Sequence, residues 1–394
     1  MFLFSGISCG IKKNSKKDFA IAVLPKGSST IGFFTSNSLK SEVIARAEKI
    51  LKIKKKARVI AVVSGNAMCR YKGVEKDAEK IVKQIKKVFE EKTKEKINED
   101  EIILLATGKI GVKLETEKVV DKVKEAFEKL SESESEFSSA IITTDKVEKV
   151  VKYQNRRFFV LGVAKGAGMI FPKFSEATTL SFIFTNSTSP KGFEKKLHEI
   201  LTETIGSVNI DHSTSTNDSC IISFGNEIKT DEKSLEKALR YVLSHLAVKI
   251  AEDGEGVKHV VKVEVKGAKN NSSARKICEY ISGSILFKCS LAGESPDFGR
   301  ILAAIGSSNE KIDRINIFLR DDFSFHSYRE KSEVKSKLKV VENSKIIDFD
   351  FKKAKEIMKN PKYTIEIQVG NGKGKSEILM TDLTEEYIKI NLTL

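Results

Sequence analysis

Short runs of β-branched and apolar residues alternate along this chain with stretches whose apolar positions recur every three or four residues. The runs at 20–24 and 31–35 predict paired strands. Residues 41–54 carry Val43, Ile44, Ala47, Ile50 and Leu51 at helical spacing, and 58–63 is a continuous apolar strand closing on Ser64-Gly65-Asn66. A long charged helix is expected over 76–95, with its stripe at Ala78, Ile81, Val82, Ile85 and Val88. Further strands are expected at 102–105, 139–144, 158–163 and 180–185, and further helices at 119–130, 193–205 and 232–251. A new β/α series starts at 259–265. Residues 92–100, 131–136, 186–190 and 306–311 read as loops, and 321–335 as a polar excursion. Alternation of this kind predicts a layered α/β protein, with a larger core over 1–250 and a smaller α/β domain over 251–394.

Composition narrows the class. Of 394 residues, 40% are hydrophobic and 31% charged, which is enough apolar material for a packed core. No apolar run reaches the ~18–20 residues of a membrane helix. The opening MFLFSGISCGIKK lacks a basic leader and an apolar core of signal-peptide length, so it reads as mature cytoplasmic sequence. The net charge is +15, but the lysines lie in mixed Lys/Glu helices, and no basic–aromatic interleaving offers a stacking platform. A solvated surface is the simpler reading, with nucleic acid not expected. Cys9, Cys69, Cys220, Cys278 and Cys289 form no CxxC pair and the five histidines no i,i+4 pair, so neither a disulfide framework nor a zinc site is expected.

Several segments are chemically suggestive. Lys165-Gly166-Ala167-Gly168-Met169-Ile170 sets a lysine beside two glycines at a strand exit. Backbone can approach a ligand there and the ammonium can hold a carboxylate or phosphate, although the lysine precedes the glycines and the phosphate-loop spacing is absent. Ala106-Thr107-Gly108-Lys109-Ile110-Gly111 presents a hydroxyl and the next amide at a strand end, a pattern suited to an oxyanion hole. Asp211–Asp218 reads as a capped polar turn and Glu252-Asp253-Gly254-Glu255-Gly256 as a glycine turn after a helix. Taken singly, each is adequately explained as a turn.

Their order along the chain resembles the ornithine acetyltransferase / glutamate N-acetyltransferase (ArgJ) family. The resemblance runs through Gly10-Ile11-Lys12-Lys13 with Lys17-Asp18, Phe34-Thr35-Ser36-Asn37, Ser64-Gly65-Asn66-Ala67 and Thr107-Gly108-Lys109-Ile110-Gly111. It continues through Ile141-Ile142-Thr143-Thr144-Asp145 with Lys149, Lys165-Gly166-Ala167-Gly168-Met169-Ile170 with Pro172, Ala177-Thr178 and Ser215-Thr216-Asn217-Asp218. It ends in Asp253-Gly254-Glu255-Gly256, Pro296-Asp297-Phe298-Gly299-Arg300 and Thr381-Asp382-Leu383-Thr384 with Tyr387 and Asn391.

The resemblance implies a layered αββα-type core of the self-cleaving, aminopeptidase-like architecture, with the precursor cutting itself between Ala177 and Thr178. The α chain 1–177 and the β chain from Thr178 would then assemble as α2β2. Thr178 would be the nucleophile of a ping-pong transfer of acetyl from N2-acetylornithine to glutamate, with Thr107 and Gly108 as the oxyanion hole. Thr144, Lys165, Thr178, Glu255 and Asn391 match substrate-binding positions. No metal or organic cofactor is implied, and acetyl-CoA is an optional donor. The chain departs from the family at His212-Ser213, where a glycine and an acid are usual, at an added Ser175-Glu176 before the cleavage point, and at an end three residues after Asn391. Two alternatives share these motifs: a related N-terminal-threonine amidohydrolase or aminopeptidase, and a non-cleaving binding homologue.

Overall fold

Where β-branched and apolar residues run together they form strands, and where they recur at helical spacing they form helices that cover them. In the computed structural model, which describes residues 1–13, 15–171, 177, 179–329 and 336–392, the elements in chain order are as follows. The strands are β1 Leu3–Ile7, β2 Phe19–Val23, β3 Ser29–Phe34, β4 Val59–Asn66, β5 Ile102–Lys109, β6 Lys149–Gln154, β7 Phe159–Lys165, β8 Leu180–Ser187, β9 Val208–Asn209 and β10 Ser219–Ile228. They continue with β11 Val260–Ala268, β12 Asn316–Arg320, β13 Ser324–Phe325, β14 Tyr328–Arg329, β15 Lys337–Glu342, β16 Lys345–Ile346, β17 Lys362–Gln368 and β18 Gly374–Thr381. The helices are α1 Glu42–Lys54, α2 Val74–Thr93, α3 Thr116–Val120, α4 Val123–Glu128, α5 Ser135–Ile141, α6 Glu194–Glu203, α7 Glu232–Glu252, α8 Asn271–Ser282, α9 Ile285–Ala292, α10 Gly299–Ser307, α11 Phe351–Met358 and α12 Glu385–Leu392. None of the described helices is long and apolar enough to cross a membrane.

Two compact units emerge. Unit 1 is Met1–Gly166, Glu176–Leu201 and Thr214–Leu246; unit 2 is Ala167–Ser175, Thr202–Ser213 and Ala247–Leu394. The boundary drawn at residue 250 from the sequence lies inside α7.

Unit 1 holds two sheets, ordered β1-β2-β4-β5 and β3-β10-β8-β7-β6. β4 and β5 run parallel, with Val59 opposite Ile102 and Ser64 opposite Thr107. Val59 to Val63 are all fully buried, so β4 is covered on both faces and shows no polar alternation. Aromatic rings from β1, α5 and β8 join the sheets: Phe4 meets Phe184 edge-on at 5.0 Å, and Phe137 meets Phe182 at 5.1 Å. α2 lays Ala78, Ile81, Val82, Ile85 and Phe89 into the same core, each such side chain contributing roughly 1.5–3 kcal/mol when large and fully buried. Beyond the second sheet, α7 packs so close on β7 that a Cβ at Gly162 would lie 2.4 Å from the Val242 side chain. The order is helix, sheet, sheet, helix, the expected layered α/β arrangement.

Unit 2 is built on a seven-stranded sheet, β16-β15-β12-β17-β11-β18-β9. Here alternation is clean. Val261, Val263 and Val265 of β11 join Ile277, Ile281, Ile301 and Ile357 in a core under α8, α10 and α11. Charged residues of β11, β12, β15 and β17 pair: Arg320 with Glu366 at 2.9 Å, Lys337 with Glu366 at 3.0 Å and Lys266 with Glu264 at 3.0 Å.

Three expectations are corrected. The strands expected to pair at 20–24 and 31–35 do not: β2 pairs with β1 and β4 in one sheet, and β3 pairs with β10 in the other. Residues 139–144 form no strand; α5 occupies Ser135–Ile141, because Phe137, Ala140 and Ile141 share a helical face that is wholly buried, and that burial overrides the β-preference of Ile141-Ile142-Thr143-Thr144. The single helix expected over 119–130 is divided into α3 and α4, where the Lys122 amide bonds the Val119 carbonyl only three residues back and tightens the turn. Within 321–329 the expected excursion contains the β13–β14 hairpin.

Candidate active site

One cluster of motif residues, in unit 1, lies at the ends of β4 and β5. Past the regular pairing, Ser64-Gly65-Asn66 bulges against Thr107-Gly108-Lys109. Gly108 has φ +133°, and a Cβ there would lie 2.3 Å from the Gly65 carbonyl carbon, so only glycine allows the two backbones this approach. Asn217 fixes the neighbourhood from a third segment. Its amide donates to the Ala67 carbonyl at 2.8 Å and the Ala106 carbonyl at 2.9 Å. That segment is tied in turn to Phe34-Thr35-Ser36-Asn37, through the Thr35 hydroxyl on the Ser215 carbonyl and the Asn37 amide on the Thr214 carbonyl. Motif blocks far apart in sequence thus meet around the end of β5.

Lys165, the last residue of β7, brings its Nζ to 3.3 Å from the Thr107 hydroxyl, 58 residues away in sequence. The bend after α5 holds this end of β7 in place. Asp145 Oδ1 accepts from the Gly166 amide at 2.6 Å and from Lys149 Nζ at 2.6 Å, while its Oδ2 accepts from the Thr143 amide at 3.0 Å. The Asp145 and Lys149 side chains are both fully buried. Burial pushes the Asp145 carboxyl up, but the charges of Lys165 and Lys149 and the hydrogen bonds from Lys149 and Gly166 outweigh it, and the group is held down at about 2. Lys12 reaches the same region. Its Nζ donates to the carbonyls of Lys17, Ala140 and Ile142 at 2.7, 3.1 and 2.6 Å, and burial lowers it to about 8 against the pull of Asp18. Thr144 stands in this clamped bend, next to Asp145.

Unit 2 holds a second cluster. A Cβ at Gly168 would lie 2.5 Å from the Glu255 carboxyl carbon, so this glycine leaves room for the carboxylate. Glu255 is 7% exposed; its amide donates to the Ala167 carbonyl at 2.8 Å, and its Oε2 accepts from the Asn391 amide at 2.8 Å. Asp211 gathers the amides of Met169 and Ile170, at 2.5 and 3.0 Å, and the Tyr387 hydroxyl at 3.3 Å. Burial and the Asp211 carboxylate push that hydroxyl up. His212 has φ +62°, a left-handed conformation that explains a glycine preference at this position. The histidine is held there by its amide on Asn209 Oδ1 at 3.0 Å and by stacking on Phe171 with ring centroids 3.8 Å apart.

Thr107, Gly108 and Lys165 therefore come together, as do Glu255 and Asn391. Ala177 is 4% exposed; Thr178 and residues 172–176, with the added Ser175-Glu176, lie outside the described residues. Sequence reasoning gave no role to Asp145, Lys149, Lys12 or Asn217, although each stands within a motif block.

The ArgJ family model matches residues 3–393. An arginine biosynthesis bifunctional protein ArgJ from Thermotoga neapolitana is 34% identical over 99% of this chain and 97% of its own, and one from Caldanaerobacter subterraneus subsp. tengcongensis is 33% identical over 99% and 96%. A glutamate N-acetyltransferase from Methanopyrus kandleri is 32% identical over 91% of each chain.

Proposed function

This chain belongs to the ArgJ family, and on that premise we propose that it transfers acetyl from N2-acetylornithine to glutamate in arginine biosynthesis after cutting itself between Ala177 and Thr178. It is an acetyltransferase. In the precursor the Thr178 hydroxyl attacks the Ala177 carbonyl, the peptide C–N bond breaks, and water hydrolyses the resulting ester. Residues 178–394 are then left with a free α-amine at Thr178. That amine, of ordinary pKa ~7.7–8.0, is a base attached to the nucleophile itself, which a threonine hydroxyl needs in order to attack. In the first half-reaction the hydroxyl adds to the acetyl carbonyl of N2-acetylornithine. Its proton passes through the α-amine to the departing ornithine nitrogen, and acetyl-Thr178 remains. In the second half-reaction the glutamate amine attacks this ester, giving N-acetylglutamate and free Thr178.

The Thr107 hydroxyl and Gly108 amide receive the developing oxyanion, at ~2.7–4 kcal/mol per donor in sites of this kind. Lys165 holds a substrate carboxylate. Thr144 and Asn391 contact the amino-acid substrate, and Glu255 takes the ornithine ammonium. The observation that carries the reading is the meeting of Lys165 Nζ with the Thr107 hydroxyl at 3.3 Å beside a glycine that only a Cβ-free backbone permits. No cofactor is required, acetyl-CoA is an optional donor, and the cleaved chains work as α2β2 in the cytoplasm.

Intact mass under denaturing conditions, paired with an acetyl-transfer assay, tests this. Wild type should give fragments 1–177 and 178–394 and form N-acetylglutamate, whereas Thr178→Ala should stay whole and inactive. A wild-type chain that remains uncut and transfers nothing would overturn the proposal.

A further inference from the structure

We propose that Asp145 is a positioning residue that aims Lys165 at the acyl-transfer centre, its buried partner Lys149 serving as counter-charge and not as a second substrate contact. The inference rests on the reading of Lys165 as the cation that holds a substrate carboxylate. Lys165 is the last residue of β7, and the peptide that follows it is the Lys165–Gly166 unit. One carboxylate oxygen of Asp145 accepts from the amide of that unit at 2.6 Å. Gly166 sits at φ +150°, outside the strand conformation, so regular pairing does not set the direction of this peptide plane. The Asp145 bond sets it, and with it the line along which the Lys165 side chain leaves the backbone toward Thr107.

Lys149 opens β6 directly opposite Ala164 of β7, the residue before Lys165. Its Nζ shares the same Asp145 oxygen at 2.6 Å. The carboxylate therefore ties three chain segments into one corner: the bend that carries Thr144, the start of β6 and the end of β7. Electrostatics supports the geometry. The charges of Lys165 and Lys149 both act on Asp145, and Lys12 is acted on by Lys165 and Asp145 together. Asp18 answers the charge of Lys12, whereas Asp145 is the buried anion acting on Lys149 and Lys165, and without it the repulsion between the cations would push the flexible Lys165 side chain away.

Removing Asp145 alone would confound positioning with the cost of an uncompensated buried ammonium, so the test uses Asp145→Asn, Lys149→Met and the double variant D145N/K149M. Thermal midpoints and glutamate affinity by calorimetry are measured on each purified protein, alongside KM and kcat for acetyl transfer. The double variant should recover most of the midpoint lost in Asp145→Asn, yet keep a glutamate KM and Kd raised about 10-fold or more with kcat within about 3-fold, the scale expected for a displaced substrate contact. Adding Lys165→Ala to the double variant should weaken binding little further. A double variant with wild-type affinity, or an additive loss on adding Lys165→Ala, would overturn the inference. So would failure of both Asp145 variants to fold, which would assign the carboxylate to the core alone. If the wild type transferred no acetyl, the proposed function would fail on its own, and the calorimetric comparison would still decide the role of Asp145.

Discussion

Thr107, Gly108 and Lys165 stand at the ends of strands whose neighbours are buried on both faces, whereas Asn391 stands on α12, a helix in which no residue is buried. The strand ends are fixed by a glycine contact that tolerates no side chain, by Asn217 across two carbonyls and by Asp145 on a main-chain amide. Asn391 is fixed by one side-chain bond to Glu255 and one to the Tyr387 carbonyl. Bond-making chemistry loses ~100-fold for a 1 Å displacement, so it belongs on the rigid frame. Recognition of a flexible amino acid accepts a looser support, and the loose support is also the more easily altered one.

The sharpest way to break this contrast is Gly108→Ala. Its Cβ would meet the Gly65 and Asn66 backbone at a φ that L-residues rarely adopt, so a loss of about 3 kcal/mol or more is expected from strain and overpacking together. Denaturant unfolding should show this loss, and acetyl transfer should vanish; near-wild-type stability would mean that the β4–β5 contact relaxes and is not the rigid anchor described.

A second test concerns charge inside unit 2. Burial lowers the Lys288 ammonium to about 7, with Asp211 and Asp382 pulling the other way. The folded chain thus releases this proton near pH 7 and the unfolded chain near the ordinary lysine value of ~10.4. Between those values the unfolded state binds more protons, so this group's contribution to stability rises with pH and its full cost is felt below pH 7. Unfolding midpoints compared at pH 6.5 and pH 9 should climb more steeply in the wild type than in Lys288→Met. Parallel slopes would remove Lys288 from the account.

The smallest effect is expected at the looser support. Asn391→Ala should raise KM for the amino-acid substrates by about 10-fold at most, in line with the ~1 kcal/mol of a typical hydrogen bond, and leave kcat and stability nearly unchanged. A collapse of kcat instead would show that α12 takes part in the bond-making step.

In unit 1, β2, β4, β5, β7 and β8 were readable as apolar runs and α2 as a regular stripe, whereas β1, β6 and β10 were not expected: β6 carries Lys149, Lys152 and Gln154 among its apolar residues. The clamp around Asp145 was not readable, since a buried Asp–Lys pair four residues apart looks like any helix-surface pair until the bend removes it from water. α5 was misread because the Ile-Ile-Thr-Thr run outweighed, on paper, a helical face that only Phe4, Phe182 and Phe184 make favourable. At the site, Thr107 with Lys165 and Glu255 with Asn391 emerged from motif order and not from spacing, because each pair is brought together by chain segments that sequence proximity does not connect.

The ammonium of Lys12 grips three carbonyl oxygens, those of residues 17, 140 and 142. Every amino acid supplies a carbonyl, so this latch addresses a place on the chain and ignores the letter written there. Half-buried Ile142 is therefore free to drift toward other side chains while the latch stays shut, and only the donor is irreplaceable. A library randomised at both ends of the contact would return a lopsided result: one fixed lysine facing a varied partner, the signature of a lock keyed to main chain.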